Sequence, residues 1–333
     1  MELNPRQQII SSIRGYFLTP VIANLSKQGF FKNLNRKFKV KDKYLNITVR
    51  YLLYLGLIKN EKNFFYFTKM GKKIFSRSGS FNIVHSYRDY LYNLDQILKH
   101  KKVNKIKCDR VENVIGSSST NNRKFFTPAL KLIEKTKFNV IYDIGCGDGS
   151  FLHLISKKFK NKQILGSDIS NLSLLEAKKK FKKKKIKLKQ FDASNVEKWG
   201  KWLLGQYDEN QEDIIISMWF IIHEISKNNI TKIINLFKKI NFLFPKAKIL
   251  IGEIIDPEFD ILKKNKLNSI LPEYLFFHQL SGQGVFNLKQ LKIILKKIPY
   301  IVSGQINVDE IVNKNKKNPS GIILLLEPKK TQR

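Results

Sequence analysis

The sequence predicts an α/β protein in two parts: a mainly helical N-terminal unit, then an open and mainly parallel sheet with helices between its strands. Three observations predict it. Residues 138–152 read FNVIYDIGCGDGSFL, an apolar run that passes through Gly145, Gly147 and Gly149 into a helix start. Glycines allow a tight turn and a close backbone approach to a ligand, and the helix that follows aims unpaired N–H groups over the turn. Behind this turn come further short apolar runs separated by helical segments, and ahead of it apolar residues recur at helical spacing.

Taken in order, Pro5 to Lys27 carries Ile9, Ile13, Phe17 and Val21 at near-fourfold spacing, which predicts a helix. Asn46 to Leu57 (NITVRYLLYLGL) is a second helix ending near Gly56, and its run of Tyr51, Leu52, Leu53, Tyr54 and Leu55 reads as buried. Leu57 to Thr68 (LIKNEKNFFYFT) reads as two strands about a polar turn, and Lys69 to Phe75 returns to a short helix. Residues 1–80 therefore form one unit. Residues 81–137 read as connecting helices plus a loop, because Gly116 to Arg123 (GSSSTNNR) is a tract of small polar residues. Phe126 to Lys135 is the helix that leads into the sheet.

From residue 138 to 333 the elements follow a parallel-sheet order. Strands are expected at 138–144, Gln163 to Asp168, Ile186 to Asp192, Asp213 to Phe220 and Ala247 to Glu253, with a helix from Asn228 to Asn241. An insert spans 256–285, Leu288 to Lys297 is a helix, and Tyr300 to Val308 with Gly321 to Glu327 closes the chain as two strands. Acids stand at the ends of the first three strands: Asp143, Asp168 and Asp192. Asp168 lies about twenty residues beyond the turn, where a ribose-binding acid is expected in a nucleotide site.

This ordered set resembles the class I S-adenosylmethionine (SAM)-dependent methyltransferases over residues 138 to 328. The resemblance implies a Rossmann-like seven-stranded sheet with SAM over Gly145, Gly147 and Gly149. It places the ribose on Asp168, the adenine amine near Asp192 and the methionine moiety near Asp143. The segment VRYLLYLGLIKNEKNFFYFTKMGK is similar to the winged-helix-like N-terminal domain of small-molecule O-methyltransferases. That domain pairs subunits, so a homodimer is expected. The same fold binds DNA in many regulators, and a winged-helix DNA-binding regulator is the alternative of another class.

The window after the fourth strand is FIIHEIS, with His223 followed by Glu224 at the rim where ligands of an open sheet sit. O-methyltransferases of this architecture carry a histidine and an acid there, and the resemblance makes His223 the general base beside Glu224 for a hydroxyl or acidic carbon of a small-molecule acceptor. The match to their H-D-W pattern is partial, since Glu224 and Ile225 replace aspartate and tryptophan. Glu253 and Asp256, after the fifth strand, are candidates to support His223. A second histidine, His278, lies in the insert within EYLFFHQLSGQGVF. A branch of these enzymes that methylates carbon in 2-oxo acids holds a metal by two matching histidines, and the NVIGSSS and SGQG tracts resemble it. The alternative is thus a metal-assisted C-methyltransferase with one transition-metal ion on His223 and His278.

Composition narrows the setting. Two cysteines, Cys108 and Cys146, exclude a disulfide framework and fit a reducing cytosol. No secretory leader pattern stands at the N-terminus and no apolar run approaches the roughly 18 residues of a membrane span, so a cytoplasmic protein without a membrane partner is expected. The net charge of +35 is spread along the whole chain, which fits compositional bias and disfavours a dedicated nucleic-acid site.

Overall fold

The computed structural model of the chain describes residues 4–100, 106–181, 186–206, 213–227, 229–257, 270–313 and 316–329. It divides into two compact units, Met1–Tyr92 with Lys107–Thr120, and Asn93–Ile106 with Asn121–Arg333.

In the first unit, the helix Pro5–Lys27 starts at a capping box between Asn4 and Gln7, with proline at its first position. Only Ile22, Ala23 and Leu25 of this helix are buried. Its expected apolar stripe is left in the open, with Ile9, Ile13 and Phe17 exposed at 59%, 56% and 58%. The helix Lys43–Tyr54 is capped by Asp42 and ends before Gly56, which takes a left-handed φ of 67°. Its expected full burial is corrected. Val49 and Leu52 face the core, whereas Tyr44, Ile47 and Tyr54 are exposed, because this helix is amphipathic. The strands β1 (Ile58–Glu61) and β2 (Phe64–Phe67) pair about Lys62 and Asn63, both left-handed, the backbone of a two-residue hairpin. Ile22, Leu25, Val49, Leu52, Ile58 and Phe75 meet in the core below them.

The loop expected at 116–123 is instead helix. Arg110–Asn121 is α-helical and runs on into a π-helical turn, Asn122–Phe126. Its small residues are packing residues: a Cβ on Gly116 would stand 2.6 Å from the carbonyl oxygen of Gly79 on the helix Ser78–Ser86. Glu112 locks the same contact. Its fully buried carboxylate accepts from His85 Nδ1 at 3.0 Å and from Arg88 Nη1 at 2.9 Å. A buried carboxylate needs such partners to be tolerated.

The second unit is built on a seven-stranded sheet. Its strands are β3 (Val140–Ile144), β4 (Gln163–Asp168), β5 (Lys187–Gln190), β6 (Ile214–Trp219), β7 (Lys248–Ile254), β8 (Tyr300–Asn313) and β9 (Lys316–Pro328). Their order is β5-β4-β3-β6-β7-β9-β8. The first five are parallel, and β9 and β8 close the edge antiparallel, as the sequence led us to expect. Alternation along β3 sends Val140, Tyr142 and Ile144 to one core and Ile141 to the other, so both faces are covered. β8 and β9 pair beyond their expected ends, to Asn313 opposite Lys316. Part of the insert, 258–269, lies outside the described residues, as do 182–185 of the lysine-rich run. The rest of the insert contains the helix Leu271–Leu280 and is followed by the helix Leu288–Lys297. No described helix is long and apolar enough to cross a membrane.

Candidate active site

The carboxyl ends of β3, β4 and β5 bring the three strand-end acids to one rim. Gly145, Gly147 and Gly149 all have positive φ, at 70°, 54° and 71°, the conformation that excludes most side chains. A Cβ on Gly145 would also stand 2.5 Å from Ile221. Asp168 fixes this turn: one oxygen accepts from the N–H of Gly147 at 2.9 Å and the other from the N–H of Ser170 at 2.8 Å. Asp192 is exposed after β5 and accepts from the N–H and hydroxyl of Ser194 at 2.8 and 2.7 Å.

Asp143 is buried in the floor of the turn. Ser217 on β6 donates its hydroxyl to Oδ1 at 2.6 Å, while Oδ2 is buried without a hydrogen-bond partner among the described residues. Burial above all, and then the charge of Asp168, push this carboxyl up to about 8, against the Ser217 hydrogen bond. Cys146 is buried in the turn, and burial with Asp143, Asp168 and Asp148 pushes its thiol well up, so it stays protonated and is no nucleophile. The sequence reading missed Asp148, a buried acid of the turn that pairs with Lys180 from the end of the helix Asn171–Lys180. Its only sequence signal is the lysine run that ends this helix.

These residues fit SAM. An unsatisfied buried carboxylate oxygen suits a cationic donor, and an acid at the next strand end suits ribose hydroxyls. Each carboxylate oxygen has two lone pairs, so Asp168 can hold the turn and still accept from a ligand.

The second half of the site lies at the ends of β6 and β7. Phe220 follows β6 with φ of 54°, a strained conformation for a bulky side chain, and its N–H donates to the Gly252 carbonyl at 2.9 Å. Gly252 accommodates the Trp219 ring, which a Cβ would meet at 2.2 Å. This crossing delivers His223, on the short helix Ile222–Ser226, against Glu253 at the end of β7. Both are buried, the His223 Nδ1–Glu253 Oε1 distance is 2.8 Å, and the His223 N–H reaches Oε2 at 3.4 Å. The acid that holds the ring is therefore Glu253, one of the two support candidates, while the adjacent Glu224 is half-buried.

His278 completes the group. It is buried on the helix Leu271–Leu280, stacks on Tyr274 with 3.8 Å between ring centroids, and its Nδ1–H donates to the Tyr274 carbonyl at 2.7 Å. Its ring lies 5.0 Å from that of His223, edge to face. Burial, and then His223, push His278 down to about 3, so it is neutral near neutral pH. With Nδ1 donating, Nε2 is the nitrogen that bears the lone pair in each ring. Among the described residues, no group of three or more His, Cys, Asp or Glu side chains is placed to hold a metal ion.

Residues 141–240 match the methyltransferase domain family, and residues 14–101 match the AprA winged helix domain family. No curated protein sequence matches the chain significantly. The chain is similar in structure to an O-methyltransferase family protein from Burkholderia thailandensis, at 9% identity over 99% of this chain and 100% of that one, with a TM-score of 0.64. It is similar to human N-acetylserotonin methyltransferase, solved in complex with SAM, at 13% identity over 98% and 99% of the two chains and a TM-score of 0.63. It is also similar to N,N-8-amino-8-demethyl-D-riboflavin dimethyltransferase from Streptomyces davawensis, at 12% identity over 98% and 100% and a TM-score of 0.58. At such identities the likeness is one of fold.

Proposed function

We propose that this SAM-dependent methyltransferase methylates a hydroxyl of a small-molecule acceptor, with His223 as the general base. The observation that carries the reading is the buried 2.8 Å contact between His223 Nδ1 and Glu253, at the rim shared with the glycine turn. SAM, when bound, supplies an electrophilic sulfonium methyl. Asp143, Asp168 and Asp192, with the turn of Gly145, Gly147 and Gly149, would hold it. Glu253 accepts from Nδ1–H and so fixes the tautomer that presents Nε2 as the base. A carboxylate there also stabilises the imidazolium formed when His223 takes the acceptor's proton, and the burial of both groups keeps bulk water from competing. The test is to supply labelled SAM with a panel of phenols, alcohols and 2-oxo acids and to locate the methyl group by mass spectrometry. Methyl on oxygen, at a rate unchanged by chelator, is expected.

The pairing of the His223 and His278 rings favours a second reading, C-methylation of a 2-oxo acid. Two imidazoles that each present Nε2 are suited to a transition metal, with substrate oxygens completing its shell. Such a metal would acidify the carbon beside the ketone as a Lewis acid. Elemental analysis of untagged protein separates the two readings. About one metal ion per chain, lost in His278→Ala together with turnover while SAM affinity is kept, would favour the second reading. Negligible metal, or content unchanged in both His→Ala variants, leaves O-methylation in front.

A homodimer through the first unit belongs to the same reading. The stripe of Ile9, Ile13 and Phe17, with Ile10 and Tyr16 also exposed, is more apolar surface than a solvent-facing helix ordinarily carries. Light scattering at micromolar concentration should give a dimer, and Ile13→Glu with Phe17→Glu should give a monomer. A wild-type monomer under these conditions sinks the idea.

A further inference from the structure

Asp143 stands in an unusual position for a carboxyl group. It is buried, Ser217 satisfies one oxygen, the other has no hydrogen-bond partner among the described residues, and no described ion pair involves it. Among the described residues, the groups that act on it offer no cation. They are Ser217 from β6, Asp168 from β4 and Cys146 from the turn, with Tyr142 next to it in β3 but on the opposite face of the sheet. Asp148, the other acid of the turn, has Lys180 as its own partner. An ionised carboxylate in this setting is uncompensated, and such groups neutralise rather than stay charged. The ligand expected here brings the missing cation, since the methionine moiety of SAM ends in an α-ammonium group.

We propose that Asp143 carries a proton in the cofactor-free enzyme, and that cofactor capture exchanges this proton for the cofactor's α-ammonium, releasing one H⁺ to solvent. The inference rests on the reading of the glycine turn as the SAM site and adds to it a proton stoichiometry. The exchange balances. The carboxylic O–H bond breaks, its proton passes to buffer, and the carboxylate left behind pairs with an ammonium that was already charged. The carboxyl is held up to about 8, so it is almost wholly protonated at a pH near 6.5. The free amino-acid ammonium of the ligand is then almost wholly charged, so the ligand itself contributes no proton change. The sign follows from linkage. Where binding expels a proton, affinity rises with pH, by up to about tenfold per unit, and the rise ends where Asp143 is already ionised. Above that point the ammonium loses its own proton and affinity falls.

The test is calorimetric titration of the full chain with S-adenosylhomocysteine, which keeps the α-ammonium and transfers no methyl group. At a pH near 6.5, the measured heat is plotted against the ionisation enthalpy of several buffers. A slope close to one proton released per ligand is expected for the wild type. In Asp143→Asn, which cannot titrate, the buffer dependence should vanish whatever the affinity. In Ser217→Ala, which loses the bond that favours the charged carboxylate, release should persist to higher pH. Should Asp143→Asn bind too weakly to measure, the wild-type slope and the Ser217→Ala shift decide the matter. Heat without buffer dependence in the wild type, or an equal slope in Asp143→Asn, overturns the proton exchange and leaves the cofactor site standing. No binding at millimolar ligand overturns both.

Discussion

Replacing His223 by alanine is expected to lower turnover by about 10²–10⁴-fold, the contribution of a positioned general base. SAM affinity should be unchanged, because the ring belongs to the rim of β6 and the cofactor turn belongs to β3. Glu253→Gln tests the partner separately. Glutamine can still accept from Nδ1–H, so the ring keeps its tautomer, but the negative charge that stabilises the imidazolium is gone. The fall should therefore be smaller than for His223→Ala, in kcat rather than KM, since the charge matters only once the proton has moved. His223→Ala turning over within a few-fold of wild type would remove it as the base. Equal KM rises in both variants would point instead to acceptor binding.

The roles of His223 and Glu253 were unequally legible in the sequence. His223 follows an apolar strand, and a polar residue at a strand end of an open sheet is conspicuous. Glu253 also ends a strand and was one of two acids weighed as support, but its choice over Asp256 depends on the pairing of β6 with β7, where Trp219 lies opposite Gly252. A register shift of one residue would have turned Glu253 to the other face of the sheet. The closeness of His278 to His223 was less legible still, because it depends on where an insert folds back. Four of the five parallel strands were readable because each carries a short apolar run, while β5, Lys-Leu-Lys-Gln, is polar and was marked by the acid after it. The glycine turn was readable because three glycines stand at alternate positions. The Gly116 region misled for the opposite reason. Small polar residues mark loops on average, yet Gly116 is a site of close helix packing against Gly79, which only the tertiary structure reveals. The stripe of the first helix had the right period, but periodicity tells that a face is apolar and not what covers it.

Replacing Asp168 by alanine is expected to weaken SAM binding by roughly a hundredfold or more, through two losses that act in the same direction. The first is direct: hydrogen bonds to a charged group contribute about 1.5–3 kcal/mol each, and the ribose offers two hydroxyls. The second is preorganisation. Asp168 accepts from the N–H of Gly147 at 2.9 Å and of Ser170 at 2.8 Å, so it holds the turn as well as the expected ligand. Without it, a turn whose glycines all have positive φ is free to sample other conformations, and binding must restore the bound one. Asp168→Asn separates the two losses. Its amide oxygen can still accept from one of the backbone N–H groups, but it lacks the charge and places a donor where an acceptor is needed. Affinity for Asp168→Asn between those of the wild type and Asp168→Ala, measured by calorimetry, is the expected order. Equal affinities for all three proteins would take Asp168 out of the cofactor site both as a direct partner and as the clasp that preorganises the glycine turn.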